Sequence, residues 1–203
     1  MGNRYGQFYG YTGLFPVRDA APDQGVSPTD ALRRCLNGLS AGNGSLFAKT
    51  GLVHGARMFL IDDVIYNGHP AVNEHLAYPY LALSLTFDGP LEGLAEAIAA
   101  HAPADFSGIF SHCYGFEGAG SAQSVLRYMK FCQVTTTFLY VDADATLERT
   151  LRALKVQGLA RDMVMRAQGA SISQRRALVE SLKAEIADLG DAKPGDFMTV
   201  GQQ

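Results

Sequence analysis

His54 and Arg57 are the side chains of this chain whose types and spacing could do chemistry. Imidazole alone titrates close to neutral pH, so His54 can serve as a general base, a hydrogen-bond donor or a haem ligand. Arg57 can anchor a substrate carboxylate through its planar fork, or form an ordinary ion pair with Asp62, Asp63 or Asp88. On a flat strand, residues three apart point to opposite sides of the sheet, so a bulge at Gly55 is needed to bring His54 and Arg57 together. Small Gly51, Gly55 and Ala56 leave room beside the imidazole that a close-packed core would fill. His54 and Arg57 are therefore the expected catalytic residues.

A second group lies in His112-Cys113-Tyr114. Read as a strand, it sends His112 and Cys113 to opposite faces, which rules out a direct thiolate–imidazole pair, while Tyr114 returns to the face of His112. Tyr9 and Tyr11 share a face in the same way, among Phe8 and Phe15. Tyr9, Tyr11, His112 and Tyr114 are the expected ligand-binding residues, with simple core packing as the competing reading. His69 and His75 near Glu74 match no standard zinc spacing, so no metal site is expected. Gly115 to Gly120 precedes a helix but lacks the spacing and the parallel setting of a phosphate-binding turn.

These side chains need a scaffold, and hydrophobic periodicity supplies one. Residues 8–17 and 80–87 are aromatic and β-branched enough for strands, and Arg57-Met58-Phe59-Leu60-Ile61 is a third, stopped by Asp62-Asp63. The connection between the last two passes through Asn67-Gly68-His69-Pro70. Ser27-Pro28-Thr29-Asp30 starts a helix that runs to about Leu39. Asp88 is placed to cap a helix whose Leu91, Leu94, Ala95 and Ile98 form one stripe. Residues 108–114 read as a further strand. The sum is βαββαβ, the split, ferredoxin-like arrangement of an antiparallel sheet with two helices on one face.

Beyond it, residues 122–131 look helical, 134–141 look like a strand, Asp144 caps a helix through Leu147, Leu151 and Leu154, and Ser171 caps a last helix. The expected architecture is α+β, one domain over 1–203, with a ferredoxin-like core at about 7–118 and a partial repeat with a C-terminal strand and helices over 119–203. A sheet covered on one side leaves an apolar face, which points to a homodimer.

Composition narrows the function classes. At 203 residues and 47% hydrophobic content the chain can build a sizeable core. A net charge of −3 with 18% charged residues offers no basic field for phosphate backbones, so no nucleic-acid partner is expected. The sequence lacks a secretory pattern and any apolar run of membrane-spanning length. Cys35, Cys113 and Cys132 are odd in number and widely spaced, which fits a reduced compartment better than a disulfide framework. A soluble, cytoplasmic protein with no membrane partner is expected.

The element order over residues 7–142 resembles the dimeric α+β barrel superfamily, which includes monooxygenases of antibiotic biosynthesis, chlorite dismutases and dye-decolourising peroxidases. His54-Gly55-Ala56-Arg57, Phe87-Asp88-Gly89 and Cys113-Tyr114-Gly115-Phe116 also look like bacterial proteins found with peroxidase-type enzymes. The peroxidase pattern Gly-x-x-Asp-Gly is broken, because Leu85 stands at its first glycine. The resemblance implies a small enzyme of oxidative metabolism, peroxidase- or monooxygenase-like, holding an apolar small molecule between sheet and helices, with haem admitted as a cofactor. The alternative is a non-catalytic ligand-binding or accessory subunit that docks a larger enzyme.

Overall fold

A computed structural model describes residues 3–19, 25–40, 42–66, 68–70, 72, 74–141 and 144–192. Asn67 of the interstrand connection lies outside them. The protein is α+β, with a four-stranded antiparallel sheet and seven α-helices among the described residues. The strands are β1 (Arg4–Tyr5), β2 (Phe8–Pro16), β3 (Val53–Ile61) and β4 (Tyr80–Asp88). The helices are α1 (Pro28–Asn37), α2 (Leu46–Thr50), α3 (Leu91–His101), α4 (Pro103–Phe110), α5 (Ala122–Cys132), α6 (Leu147–Ala167) and α7 (Ile172–Ala187). The chain divides into two compact units at 144/145, described separately below.

In the first unit the strands lie in the order β1-β2-β4-β3. β4 sits between β2 and β3 and is antiparallel to both, as a split βαβ requires. The place beyond β2 is taken by the short β1, joined to it by a tight turn that pairs Tyr5 with Phe8. The expected βαββαβ order is thus not completed. Residues 108–114 do not form a strand: α4 covers them up to Phe110, and Cys113 makes a single bridge with Val17. The physical reason is the period. Ala102, Phe106, Ile109, Phe110 and Cys113 are all buried and recur at helical spacing, with Pro103 at the first helical position.

Residues 134–141 likewise form no strand. Val134 N–H donates to the Thr12 carbonyl and Gln133 bridges Gly13, after which the segment leaves β2. Leu139 rests on β2 at Gly10, where a Cβ would come within 2.8 Å of its side chain and the leucine would have to shift. Two expected caps also shift. The N-cap of α3 is Pro90, which has no side-chain acceptor, and Asp88 instead ends β4. The N-cap of α6 is Thr146, while Asp144 Oδ1 accepts the Gln7 N–H at 2.9 Å. Ser27 and Ser171 cap α1 and α7 as expected, the latter with Gln174 in a capping box.

Strand alternation divides the sheet into two faces. Tyr11 and Phe15 of β2 with Leu81, Leu83, Leu85 and Phe87 of β4 lie on the inner face and are at most 2% exposed. They join Leu94 and Ile98 of α3, Phe106 and Phe110 of α4, and Val125 and Met129 of α5 in one core. α3 and α5 pack on each other over it. The outer face is formed by Phe8, Gly10, Thr12 and Leu14 opposite Asp88, Thr86, Ser84 and Ala82. It is only partly covered, and Phe59 of β3 remains 42% exposed there. In the second unit α6 and α7 form a helical hairpin in which α7 has no buried residue.

Candidate functional site

The β3–β4 ladder carries a register shift between Val53 and Gly55. Val53 pairs with Phe87 and Gly55 with Thr86, so His54 is the extra residue of a bulge. Bulged out of the ladder, His54 swings to the outer face, where its Nε2 meets Asp88 Oδ1 at 2.8 Å. Its ring packs on Phe8 with centroids 4.6 Å apart. The two side chains are 16% and 15% exposed, so the pair is largely withdrawn from water. Asp88 reaches this position because it continues the even-numbered, outward series of β4 beyond Thr86. The bulge that sequence geometry demands near Gly55 is therefore present, centred on His54.

Arg57 shares the outer face, opposite Ser84, but takes no part in the pair. Four residues along β4 separate Ser84 from Asp88, about 13 Å at the usual strand rise. The guanidinium stacks over the Phe59 ring at 5.1 Å from the centroid. The carboxylates considered for it have other partners: Asp62 binds Arg33 at 2.9 Å, Asp63 binds His75 at 2.7 Å, and Asp88 binds His54.

Tyr9 and Tyr11 do share a face, the inner one. Tyr11 is 1% exposed and donates its hydroxyl to the Met129 carbonyl at 2.9 Å, and burial drives its pKa upward. It is a packed core residue. Tyr9, paired between Arg4 of β1 and Phe87 of β4, stacks on Phe87 and accepts from Gln133 Nε2 at 2.9 Å. His112 and Tyr114 lie in the turn after α4, so strand alternation does not govern them. Burial lowers the His112 pKa, with the Arg18 charge adding to it. Tyr114 is anchored instead to Asp19, its hydroxyl donating to Oδ2 at 3.0 Å, and stands edge-on to Tyr78.

Two arrangements escaped sequence reading. Asp63 gathers His75 Nδ1 and the backbone N–H groups of Val64 and Leu76, which pulls its carboxyl down to about 2 and clamps the exposed β3–β4 connection. Within the core, Cys113, Tyr128 and Cys132 form a buried group in which burial pushes the thiols up to about 12 and about 11. Those thiols are protonated and inert at neutral pH. Among the described residues no three metal-ligating side chains come together. No helix among them is long and apolar enough to cross a membrane.

Unlike the exposed His75–Asp63 pair, the His54–Asp88 pair joins a titratable ring and a carboxylate that are largely withdrawn from water beside a partly open face. Bonded through Nε2, the imidazole keeps Nδ1 for a substrate proton, and Asp88 both fixes the ring and stabilises the imidazolium that forms. Haem does not fit this geometry. The nitrogen remote from the backbone, the one free of steric hindrance for iron, is bonded to Asp88, and the ring face is packed on Phe8. Asp88 carried a signal in the sequence only as a cap, because its partner is 34 residues away and is met through the register of β3 on β4. Set against known family models, curated proteins and solved structures, the chain matches none.

Proposed function

We propose that the protein is a small cytoplasmic enzyme of oxidative metabolism, peroxidase- or monooxygenase-like, with His54 as its acid–base residue and Asp88 as the group that orients it. The observation that carries this reading is the 2.8 Å pair held at a bulge with both side chains about 15% exposed. Bulges re-aim side chains next to active sites, and a carboxylate-bound imidazole is a common acid–base unit. The oxidative class comes from the resemblance in element order, and the compartment from the free thiols of Cys35, Cys113 and Cys132. With the interior between sheet and helices packed, the reading places the apolar substrate on the outer face beside His54.

Oxygen uptake with a polycyclic phenol in air and peroxide-driven oxidation of a phenolic dye test the two reaction types. Turnover in one of them is expected. Silence in both would leave the second reading, an accessory subunit, which the exposed apolar residues Val164, Met165 and Ile172 of the α6–α7 hairpin favour. The enzyme is also read as a homodimer, supported by the open outer face around Phe59. Light scattering at micromolar concentration should return twice the chain mass; the mass of a single chain overturns the dimer.

A further inference from the structure

The sheet edge near Tyr9 carries a second arrangement, on the opposite side of the sheet from His54. There the start of β1, Tyr9 of β2, the last turn of α5 and the segment that follows it enclose an open pocket of about 620 Å3. That is room for one metabolite-sized molecule. What it offers a ligand follows from counting which polar atoms are already used.

Several acceptors are already engaged. Asn3 Oδ1 takes the Thr136 N–H at 3.2 Å, and Tyr9 Oη takes Gln133 Nε2–H at 2.9 Å. Two carbonyls at the C-terminal end of α5 are also taken, Met129 by the Tyr11 hydroxyl and Lys130 by the Gln133 N–H. Beside the side chains of Gln133, Thr135 and Thr136, the pocket wall carries three donor groups: the Arg4 guanidinium, the Asn3 side-chain NH2 and the Tyr9 O–H. Lys130 adds a second cation, held by Glu92 Oε1 at 2.7 Å. The Glu92 carboxyl is held below its ordinary range, first by the Lys130 hydrogen bond and to a smaller degree by the charge of Arg4. Arg4 and Lys130 bring two positive charges against the one negative charge of Glu92, so the pocket keeps a net positive charge.

We infer that this pocket binds a small oxyanion, the carboxylate or phosphate group of a metabolite, with Arg4 as its principal partner and Asn3 and Tyr9 as neutral donors. A planar guanidinium matches either group through paired N–H bonds. Glu92 acts as a placeholder that an arriving anion competes with for Lys130. The inference is independent of the His54 reading, since the two sets of residues lie on opposite faces and share no side chain.

Amide NMR of the full chain tests it, with inorganic phosphate and acetate titrated at constant ionic strength and sodium chloride as control. Phosphate or acetate should produce saturable shifts at Asn3, Arg4, Gln133 and Thr136 that chloride does not. Arg4→Gln should weaken that binding about 10-fold, the worth of a charge-assisted bond. Glu92→Gln should strengthen it several-fold, because it frees Lys130 and removes the competing charge. Both positions are exposed or half-exposed, and the same spectra report whether each variant is folded. Shifts equal to those with chloride, or a Glu92→Gln variant that binds more weakly, overturn the inference.

Discussion

His54→Gln lowers turnover by about 100-fold and Asp88→Asn by a comparable factor, with both variants folded; that is the expected result if the pair does proton chemistry. Glutamine keeps a similar size and can still donate to Asp88, so the bulge retains a hydrogen bond across to β4. What it loses is the ability to hold a proton near neutral pH. Asparagine at 88 keeps the shape and a hydrogen bond but removes the charge that stabilises the imidazolium. The two variants should also be non-additive, the double losing little more than either single, because each disables the same unit. Measuring kcat/KM with denaturation midpoints separates this from a purely architectural pair. An architectural pair would lose stability in both variants and leave kcat/KM unchanged, since its work would be to tie the β3 bulge to the end of β4.

Phe110→Ala should cost about 3–5 kcal/mol of stability. Its ring is fully buried and meets Phe106 at 4.2 Å, Phe15 of β2 at 4.7 Å and Tyr128 of α5 at 5.9 Å between centroids. It therefore links α4 to the sheet and to α5, and alanine leaves a void that three rigid aromatic neighbours cannot collapse to fill. Such a loss is a large part of the roughly 5–15 kcal/mol that stabilises an ordinary domain. Phe110→Leu should retain most of it. Urea denaturation of both variants checks the value, and a cost below about 1 kcal/mol would mean that α4 is not packed on the core as described.

Much of the scaffold was legible in local sequence. Strand propensity and turn chemistry located β2 and β4 nearly to the residue and the second half of β3, and Ser27 and Ser171 marked their helices because a cap is a contact between neighbours along the chain. Residues 108–114 were read as a strand because Gly108-Ile109-Phe110 is a short apolar run. Such a run has no period of its own, and only the wider spacing of Phe106, Phe110 and Cys113 makes it helical. Residues 134–141 have strand composition, but β2 already has partners on both edges along its N-terminal half, and propensity cannot create a place in a ladder.

Tertiary structure alone decided what the polar residues do. That His54 stands on one side of the sheet and Tyr9 on the other depends on register, which a single bulged residue resets. Arg57 stacks on Phe59, while Asp62, Asp63 and Asp88 bind Arg33, His75 and His54, partners 12 or more residues away. Tyr9 and Tyr11 have the same residue type and the same facing, yet one is sealed under α5 and the other opens on a pocket. The sequence by itself determined which residues could carry a proton or bind an anion. Which of them meet was settled by long-range pairing of strands and helices, because a side chain's chemistry is set by neighbours that local pattern does not encode.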